Sequence, residues 1–213
     1  MNVTNMWDSN DENLWKNALT KYWDRDMKPE IRALEYRMDC LDPYRVKDMS
    51  VNEFYEFLYN EYFVWKYTAP NRLATTRRQL SRYQLEKKLY ELESIHRELF
   101  QFDQGDAVQG LTILRRINGL GTAGASGLLA LLFPKQFGTV DQFVVKALMK
   151  VENLPQRTEV QKIDPLCISI KAGALLIEIL KEKDRMLNAT NKTEFWTPRK
   201  IDMVLWASRN NQM

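Results

Sequence analysis

Hydrophobic residues recur along this chain at the three- and four-residue spacing of a helix face. In residues 11–25 the recurring positions form one apolar stripe: Leu14, Trp15, Ala18, Leu19, Tyr22 and Trp23. A stripe with a period of about 3.6 residues predicts an amphipathic α-helix that buries one face. No segment alternates apolar and polar residues in the manner of a half-buried strand. The pattern therefore predicts an all-α fold.

Capping and breaking residues divide this pattern into about nine or ten helices. Pro29 lies just inside the start of the second helix, and Ser50 with Glu53 forms a capping box for the third. Thr197-Pro198 starts the last helix. Further helices are predicted over 79–100, from Gly105-Asp106 to Arg116, up to Phe133, from Asp141 onward, and over 166–187.

Length and composition fit a globular protein. The chain has 213 residues, of which 45% are hydrophobic and 28% charged, whereas a disordered chain has too few apolar residues to form a core. We expect a single all-α domain over 1–213. In the alternative division, helices of 1–104 and 166–213 form two lobes that flank the region 105–150. The longest apolar run, Leu128 to Phe133, is far shorter than the ~18 residues that span a bilayer.

Cysteine and histidine content excludes several kinds of site. Two cysteines, Cys40 and Cys167, are too few for a disulfide framework or a four-thiolate cluster. One histidine, His96, excludes most zinc sites and a Ser–His–Asp triad within one chain. The polar first residues lack the basic and apolar segments of a secretory signal. We expect a reduced, intracellular protein of the cytoplasm, nucleoid or nucleus.

Basic residues concentrate in residues 66–88. This segment holds seven Lys or Arg, with Glu86 as its acidic residue, whereas residues 1–65 hold eight basic and thirteen acidic residues. Such a patch suits a polyanionic partner, and a solvated helix face is the alternative. Arg72, Arg77 and Arg78 are therefore candidate contacts for a nucleic-acid phosphate.

Glycine marks one place of special backbone geometry. All eight glycines lie between Gly105 and Gly173, and five fall within Gly119 to Gly138. The segment Arg115-Arg116-Ile117-Asn118-Gly119-Leu120-Gly121-Thr122-Ala123-Gly124-Ala125 predicts a tight turn between two helices. Small residues after the turn favour close packing of those two helices. The second helix begins with backbone N–H groups that suit an anion.

The turn has two other possible interpretations. The spacing Gly119-x-Gly121-x-x-Gly124 matches a dinucleotide-binding fingerprint, but a helical pattern precedes it where that fold needs a strand. We therefore exclude the dinucleotide site. A plain helix–helix connection stays open as the alternative to an anion site.

The turn resembles the helix-hairpin-helix of the HhH-GPD superfamily of DNA glycosylases. A second element supports the resemblance, because Phe137-Gly138-Thr139-Val140-Asp141 resembles the family's loop and its Val-Asp pair, in which the aspartate is catalytic. The spacing of 20 residues from Gly121 to Asp141 is that of the family. Gln142 and Phe143 depart from the family's usual residues after the aspartate. The resemblance covers residues 111–150.

The resemblance implies ligands for the hairpin. In the family, hairpin amides hold a phosphate, which implicates Gly119, Gly121, Ala123 and Gly124, with Arg115 and Arg116 as neighbouring cations. Hairpin carbonyls can hold a monovalent cation, which implicates the carbonyl groups of three residues: Arg115, Ile117 and Leu120. No iron–sulfur cluster and no small-molecule cofactor is expected. The partner implied is duplex DNA, bound by a monomer.

The resemblance also implies a reaction, the removal of a modified or damaged base in DNA repair by base excision. Asp141 would assist hydrolysis of the N-glycosidic bond after the base is extruded from the duplex. Some members attack the sugar with a lysine that corresponds to Ala123, so this chain is expected to be monofunctional. Aromatic residues before the basic segment are candidates for the walls of a base pocket: Tyr62, Trp65 and Tyr67.

Rival interpretations stay open at this point. Asp141 is also a good N-cap, and capping alone would explain its presence. A non-catalytic helix-hairpin-helix protein would bind DNA without releasing a base. A helical protein-interaction domain would have no affinity for DNA. The other tryptophans are expected in the core: Trp7, Trp15, Trp23, Trp196 and Trp206.

Overall fold

The computed structural model describes residues 3–209, and all their regular structure is helical. The first eight helices are α1 Val3–Asp8, α2 Glu12–Trp23, α3 Pro29–Asp39, α4 Pro43–Lys47, α5 Val51–Phe57, α6 Phe63–Lys66, α7 Pro70–Leu80 and α8 Arg82–Leu85. A π-helical turn, Leu58–Tyr62, joins α5 to α6. The remaining helices are α9 Leu89–Leu99, α10 Ala107–Leu114, α11 Thr122–Leu132, α12 Gln142–Leu148, α13 Arg157–Val160, α14 Ile170–Asn191 and α15 Pro198–Ala207.

The all-α class is confirmed for the described residues, and the predicted caps form as expected. Ser50 Oγ accepts the amide of Glu53, and Glu53 Oε2 accepts the amide of Ser50 at 2.8 Å, which completes the capping box. Thr197 caps α15 with Pro198 at the first helical position. None of the helices in 3–209 combines the length and apolar character that a membrane crossing requires.

The number of helices exceeds the nine or ten expected, because some predicted helices are broken. The prediction of one helix over 79–100 is wrong: α7 ends at Leu80, and Lys87 adopts a left-handed conformation with φ 55° before α9 begins. A local C-cap ends α8 at this place, because the Lys88 amide donates to the Tyr83 carbonyl at 2.7 Å and the Lys87 amide to the Gln84 carbonyl at 3.1 Å. In the same segment the Tyr83 hydroxyl donates to the Arg116 carbonyl at 2.9 Å.

The predicted helix over 166–187 is displaced toward the C-terminus. Ser169 caps α14 through the amide of Ala172, and the helix runs on to Asn191, where Lys192 takes a left-handed conformation. A capping serine stabilises the first turn of a helix, and therefore fixes where α14 begins.

The chain folds into two compact units. We call residues 27–133 the central unit, and residues 3–26 together with 134–209 the terminal unit. The lobes considered from the sequence had other bounds, 1–104 and 166–213 flanking 105–150. The actual division follows long-range packing, since α2 packs against α15 within the terminal unit. Asp141 belongs to the terminal unit, whereas the hairpin and the basic segment belong to the central unit.

Tryptophans form the core of the terminal unit. Trp15 packs between Trp7 and Trp196, at centroid distances of 6.0 and 5.9 Å. These three residues are buried, as expected, whereas Trp23 and Trp206 are half-buried. The terminal unit thus leaves part of two large aromatic surfaces accessible.

The single histidine has a structural role. His96 is buried in the central unit, where its Nε2 lies 2.8 Å from the Val46 carbonyl and its ring stacks on Phe54. Burial lowers the pKa of His96.

Asp184 on α14 gives the first testable prediction, which concerns stability against pH. It is 8% exposed, and burial raises the pKa of its carboxyl from 3.8 to about 6. Because the folded state binds this proton more tightly than the unfolded chain, the contribution of Asp184 is most favourable below pH 3.8 and is lost as the pH rises to about 6. We expect Asp184→Asn to raise the free energy of unfolding at pH 7 by about 1–3 kcal/mol.

Urea unfolding at pH 4 and pH 7 measures this effect. Glu152 is an exposed carboxylate of the same unit. Glu152→Gln is therefore the control and should leave the free energy of unfolding unchanged at both pH values. An Asp184→Asn protein with the same stability at pH 7 as the original chain would contradict the assignment.

Candidate functional site

The predicted hairpin forms in the central unit, between α10 and α11. Consecutive amide-to-carbonyl bonds carry the chain around the turn: Arg116 to Ile113, Ile117 to Leu114, and Leu120 to Ile117. Gly119 adopts φ +96°, a conformation that L side chains rarely adopt. A Cβ at this position would also meet the Thr76 carbonyl oxygen at 2.9 Å. The turn therefore requires glycine at position 119, and it packs directly against the basic helix α7.

The N-terminus of α11 lies open. Gly121 is its N-cap and provides no capping side chain. The first intrahelical bond is donated by the Ala125 amide to the Gly121 carbonyl at 2.8 Å. A Cβ built on Gly121 meets nothing within 4 Å. The amides of Thr122, Ala123 and Gly124 precede that first bond and have no intrahelical acceptor. Such an end favours an anion through its N–H groups and the helix dipole.

The small residues of α11 accommodate a different neighbour from the one expected. A Cβ on Gly124 would meet the Tyr67 hydroxyl at 2.4 Å, and one on Gly127 would meet the Tyr62 hydroxyl at 2.9 Å. The close approach is therefore to the segment around α6. α10 packs against α11, as expected, and Gly110 of α10 lies close to Leu129, which a Cβ at position 110 would meet at 3.2 Å.

Two of the three aromatic residues proposed as pocket walls, Tyr62 and Tyr67, instead lie against Gly124 of α11. Tyr62 is fully buried and donates a hydrogen bond to the Gly124 carbonyl, so it is wrong as an accessible base-stacking surface. Trp65 donates its Nε1 proton to Glu35 at 3.1 Å. Burial raises the pKa of Tyr67 to about 12, opposed by Arg72, so its phenol is protonated at neutral pH.

Two buried hydroxyls near this end of α11 have no hydrogen-bond partner among the described residues. They are the Tyr67 hydroxyl and Thr122 Oγ1. A buried polar group without a partner costs about 1–3 kcal/mol. Two buried hydroxyls without a partner in residues 3–209 thus lie near the N-terminus of α11.

The five candidate arginines of the central unit differ in their surroundings. Arg72, Arg78 and Arg115 are exposed. Arg77 donates its Nε proton to the Tyr59 carbonyl at 2.9 Å and stacks on the Tyr59 ring. Arg116 pairs with Glu98 through both terminal nitrogens. At Arg77 and Arg116 a phosphate would have to compete with an internal hydrogen-bond partner. The guanidinium groups of the other three arginines are accessible to a phosphate.

The proposed cation ligands are backbone carbonyls of the turn. The Ile117 carbonyl already accepts the Leu120 amide at 3.0 Å, and the Arg115 and Leu120 carbonyls flank it in sequence. The monovalent-cation site stays a prediction. Within 3–209 no group of three or more His, Cys, Asp or Glu side chains is placed to hold a metal ion.

Asp141 caps α12 in the terminal unit. Its Oδ1 accepts the amides of Phe143 at 2.9 Å and Val144 at 3.3 Å. The side chain of Asp141 is half-buried. The predicted capping role is therefore confirmed. The same geometry fixes the direction of a partly accessible carboxylate, which general-base or electrostatic catalysis also requires.

The loop before Asp141 is held firmly. The Thr139 amide donates to Asp202 Oδ2 at 2.6 Å, and Asp202 forms a buried ion pair with Arg199 at 2.8 Å. A Cβ on Gly138 would meet the Pro198 carbonyl oxygen at 2.5 Å. Contacts with α15 thus fix the backbone that leads into Asp141.

Sequence reasoning missed a pair of cations in the terminal unit, one of which, Arg209, interacts electrostatically with Asp141. Arg25 follows α2 and Arg209 follows α15, and both guanidinium groups stack on Trp206. The only signal in the sequence was their basic character, since their positions lie near opposite ends of the chain.

No protein-family model, curated protein or solved structure matches this chain.

Proposed function

We propose that this protein is a monofunctional DNA glycosylase that removes a modified or damaged base from duplex DNA. The observation that carries the proposal is the open N-terminus of α11 at Gly121, beside a basic helix of the same unit. Phosphate contacts position a protein on DNA, and backbone amides at a helix N-terminus supply them without a side chain. The resemblance to the HhH-GPD superfamily supports the step from DNA binding to base removal.

Asp141 is the catalytic residue in this proposal. Cleavage of the C1′–N bond leaves its electron pair on the base and positive charge on the sugar. A carboxylate near C1′ stabilises that charge and accepts a proton from the water that forms the new C1′–O bond. The departing base takes up a proton from solvent, which balances the reaction. Ala123 provides no amine at the hairpin, so the base is released and the sugar stays in an intact strand as an abasic site.

The experiment is a base-release assay. Duplexes that carry uracil, 8-oxoguanine, alkylated purines, mismatches or hypermodified pyrimidines are incubated with the protein, and abasic sites are then cleaved with alkali. Strand cleavage only after alkali supports a monofunctional glycosylase and identifies its base class. Cleavage without alkali would contradict the monofunctional assignment. Failure to bind duplex DNA at low salt would contradict the whole proposal.

One observation favours a second candidate, a non-catalytic DNA-binding protein. Asp141 has a structural role as the N-cap of α12, in which its Oδ1 accepts two backbone amides. In that case duplex DNA is bound in a salt-dependent manner and no substrate in the panel loses its base. The hairpin and its cations then account for the function without Asp141.

The hairpin gives a prediction that separates DNA binding from stability. Gly121 has φ −87° and space for a side chain, so Gly121→Asp should fold normally and cap α11 with its carboxylate. The added negative charge repels a phosphate at the same amides. We expect DNA affinity to fall by about tenfold or more, which corresponds to the ~1.4 kcal/mol of one charge-assisted contact.

Gly121→Asn is the matched control, because asparagine caps the helix in the same way without the charge. It should weaken binding less than Gly121→Asp, with both proteins as stable as the original. Fluorescence anisotropy with a labelled duplex measures the affinity. If Gly121→Asp bound DNA as tightly as the original chain, α11 would not be the phosphate site.

A further inference from the structure

A cluster of aromatic rings and arginines lies next to Asp141 in the terminal unit. We call it the Trp206 cluster, and its members are Tyr22, Arg25, Phe143, Trp206 and Arg209. The Arg209 guanidinium carbon lies 3.2 Å from the centroid of the Trp206 ring, and that of Arg25 lies 4.8 Å from it. The Trp206 indole is therefore in contact with two guanidinium groups.

The rings of the cluster hold both guanidinium groups in place. Tyr22 and Phe143 meet Trp206 edge to face, at centroid distances of 5.5 and 6.2 Å. Arg25 lies 3.9 Å from the Tyr22 ring centroid and also donates to the Tyr22 carbonyl. Arg209 lies 4.8 Å from the Phe143 ring centroid. Stacking of this kind orients a planar guanidinium before any ligand arrives.

The electrostatics of the cluster favour an anion. Burial, and then the neighbouring Arg25, lower the pKa of Arg209, while the Asp141 carboxylate raises it. Repulsion from Arg25 thus adds to the effect of burial on Arg209. A bound anion would relieve this repulsion, because it attracts both cations at once. Arg25 and Arg209 are half-buried, so solvent reaches the cluster.

We propose that Arg25 and Arg209 form a second phosphate-binding site, which takes a phosphodiester of the DNA strand that Asp141 acts on. This inference rests on the proposed function and adds the DNA contacts of the terminal unit to it. Arginine suits a phosphodiester because its planar fork donates two parallel hydrogen bonds. Phe143, which departs from the family's usual residue, has a role here as a ring that supports Arg209.

The experiment measures how DNA binding depends on salt. An unmodified duplex is used, so that base release plays no part, and affinity is measured by anisotropy over a series of KCl concentrations. Each phosphate contact adds about 0.9 to the slope of log affinity against log salt. We expect Arg25→Gln and Arg209→Gln each to lower the slope by about 1. Arg185→Gln, an exposed arginine on α14, is the control and should leave the slope unchanged.

Charge-conserving variants test the stacked geometry. Arg209→Lys keeps the charge and loses the planar fork, so the slope should be kept while affinity falls several-fold. Thermal unfolding of each variant confirms that it is folded. Unchanged slopes for both Gln variants, or an equal loss with Arg185→Gln, would overturn the inference while leaving the glycosylase proposal intact. Failure of the original chain to bind DNA would instead overturn the proposed function.

Discussion

Replacing Asp141 by asparagine is expected to abolish base release while leaving the protein folded and able to bind DNA. Asparagine is isosteric and caps a helix as well as aspartate, so the bonds to Phe143 and Val144 are kept. The amide is neutral and accepts no proton from water. General-base assistance contributes about 10²–10⁴-fold to a rate. We expect the single-turnover rate of base release to fall by about that factor.

Two further variants separate the capping role from the chemical one. Asp11→Asn changes another N-cap of the terminal unit, whose side chain accepts the Asn13 amide at 2.9 Å, and should leave base release unchanged. Asp141→Ala removes the cap as well as the carboxylate, and should cost about 1 kcal/mol of stability. Full activity of Asp141→Asn, with a stability loss only in Asp141→Ala, would assign Asp141 a purely structural role.

Among the glycine-to-alanine substitutions, Gly138→Ala is expected to cause the largest loss in the free energy of unfolding. The new Cβ would lie 2.5 Å from the Pro198 carbonyl oxygen and 2.6 Å from Leu180 Cδ1. Pro198 is the first residue of α15, a helix whose following turn is buried, so its carbonyl has little room to move. Overpacking a rigid site of this kind costs about 3 kcal/mol or more.

Gly121→Ala is the control for this measurement, because its Cβ meets nothing within 4 Å. Urea denaturation of both variants gives the difference in the free energy of unfolding, and the control should lose less than about 1 kcal/mol. Gly138 also lies three residues before Asp141, so base release should fall in Gly138→Ala as the loop shifts. Equal stabilities of the two variants would contradict the packing described for α15.

Local features of the fold follow from the sequence because they depend on neighbouring residues. The caps at Ser50, Asp141 and Thr197 were predictable, since a capping side chain bonds an amide two or three residues away. The turn at Gly119 was also predictable from local sequence, because glycine adopts a φ of this sign at no steric cost.

Errors in the sequence-based prediction arise where a distant residue decides the outcome. In the interrupted segment 79–100, Tyr83 is anchored to the carbonyl of Arg116, a residue far along the chain. The sequence made Arg77 and Arg116 phosphate-binding candidates of the same standing as Arg72 and Arg78. In the structure, Arg77 donates to the Tyr59 carbonyl and Arg116 pairs with Glu98. The sequence pattern carries no information on such pairs, since their residues are separated by many positions.

The sequence by itself determined the helical class, the caps and the glycine turn, because short-range hydrogen bonding and hydrophobic periodicity set them. It also indicated Asp141, through the resemblance of a short motif. Only the tertiary structure decided which cations are accessible, that Gly124 and Gly127 admit two tyrosines, and that Arg25 and Arg209 meet on Trp206 beside Asp141. Those contacts join residues far apart in the chain, and the packing of whole helices, such as α2 against α15, brings them together.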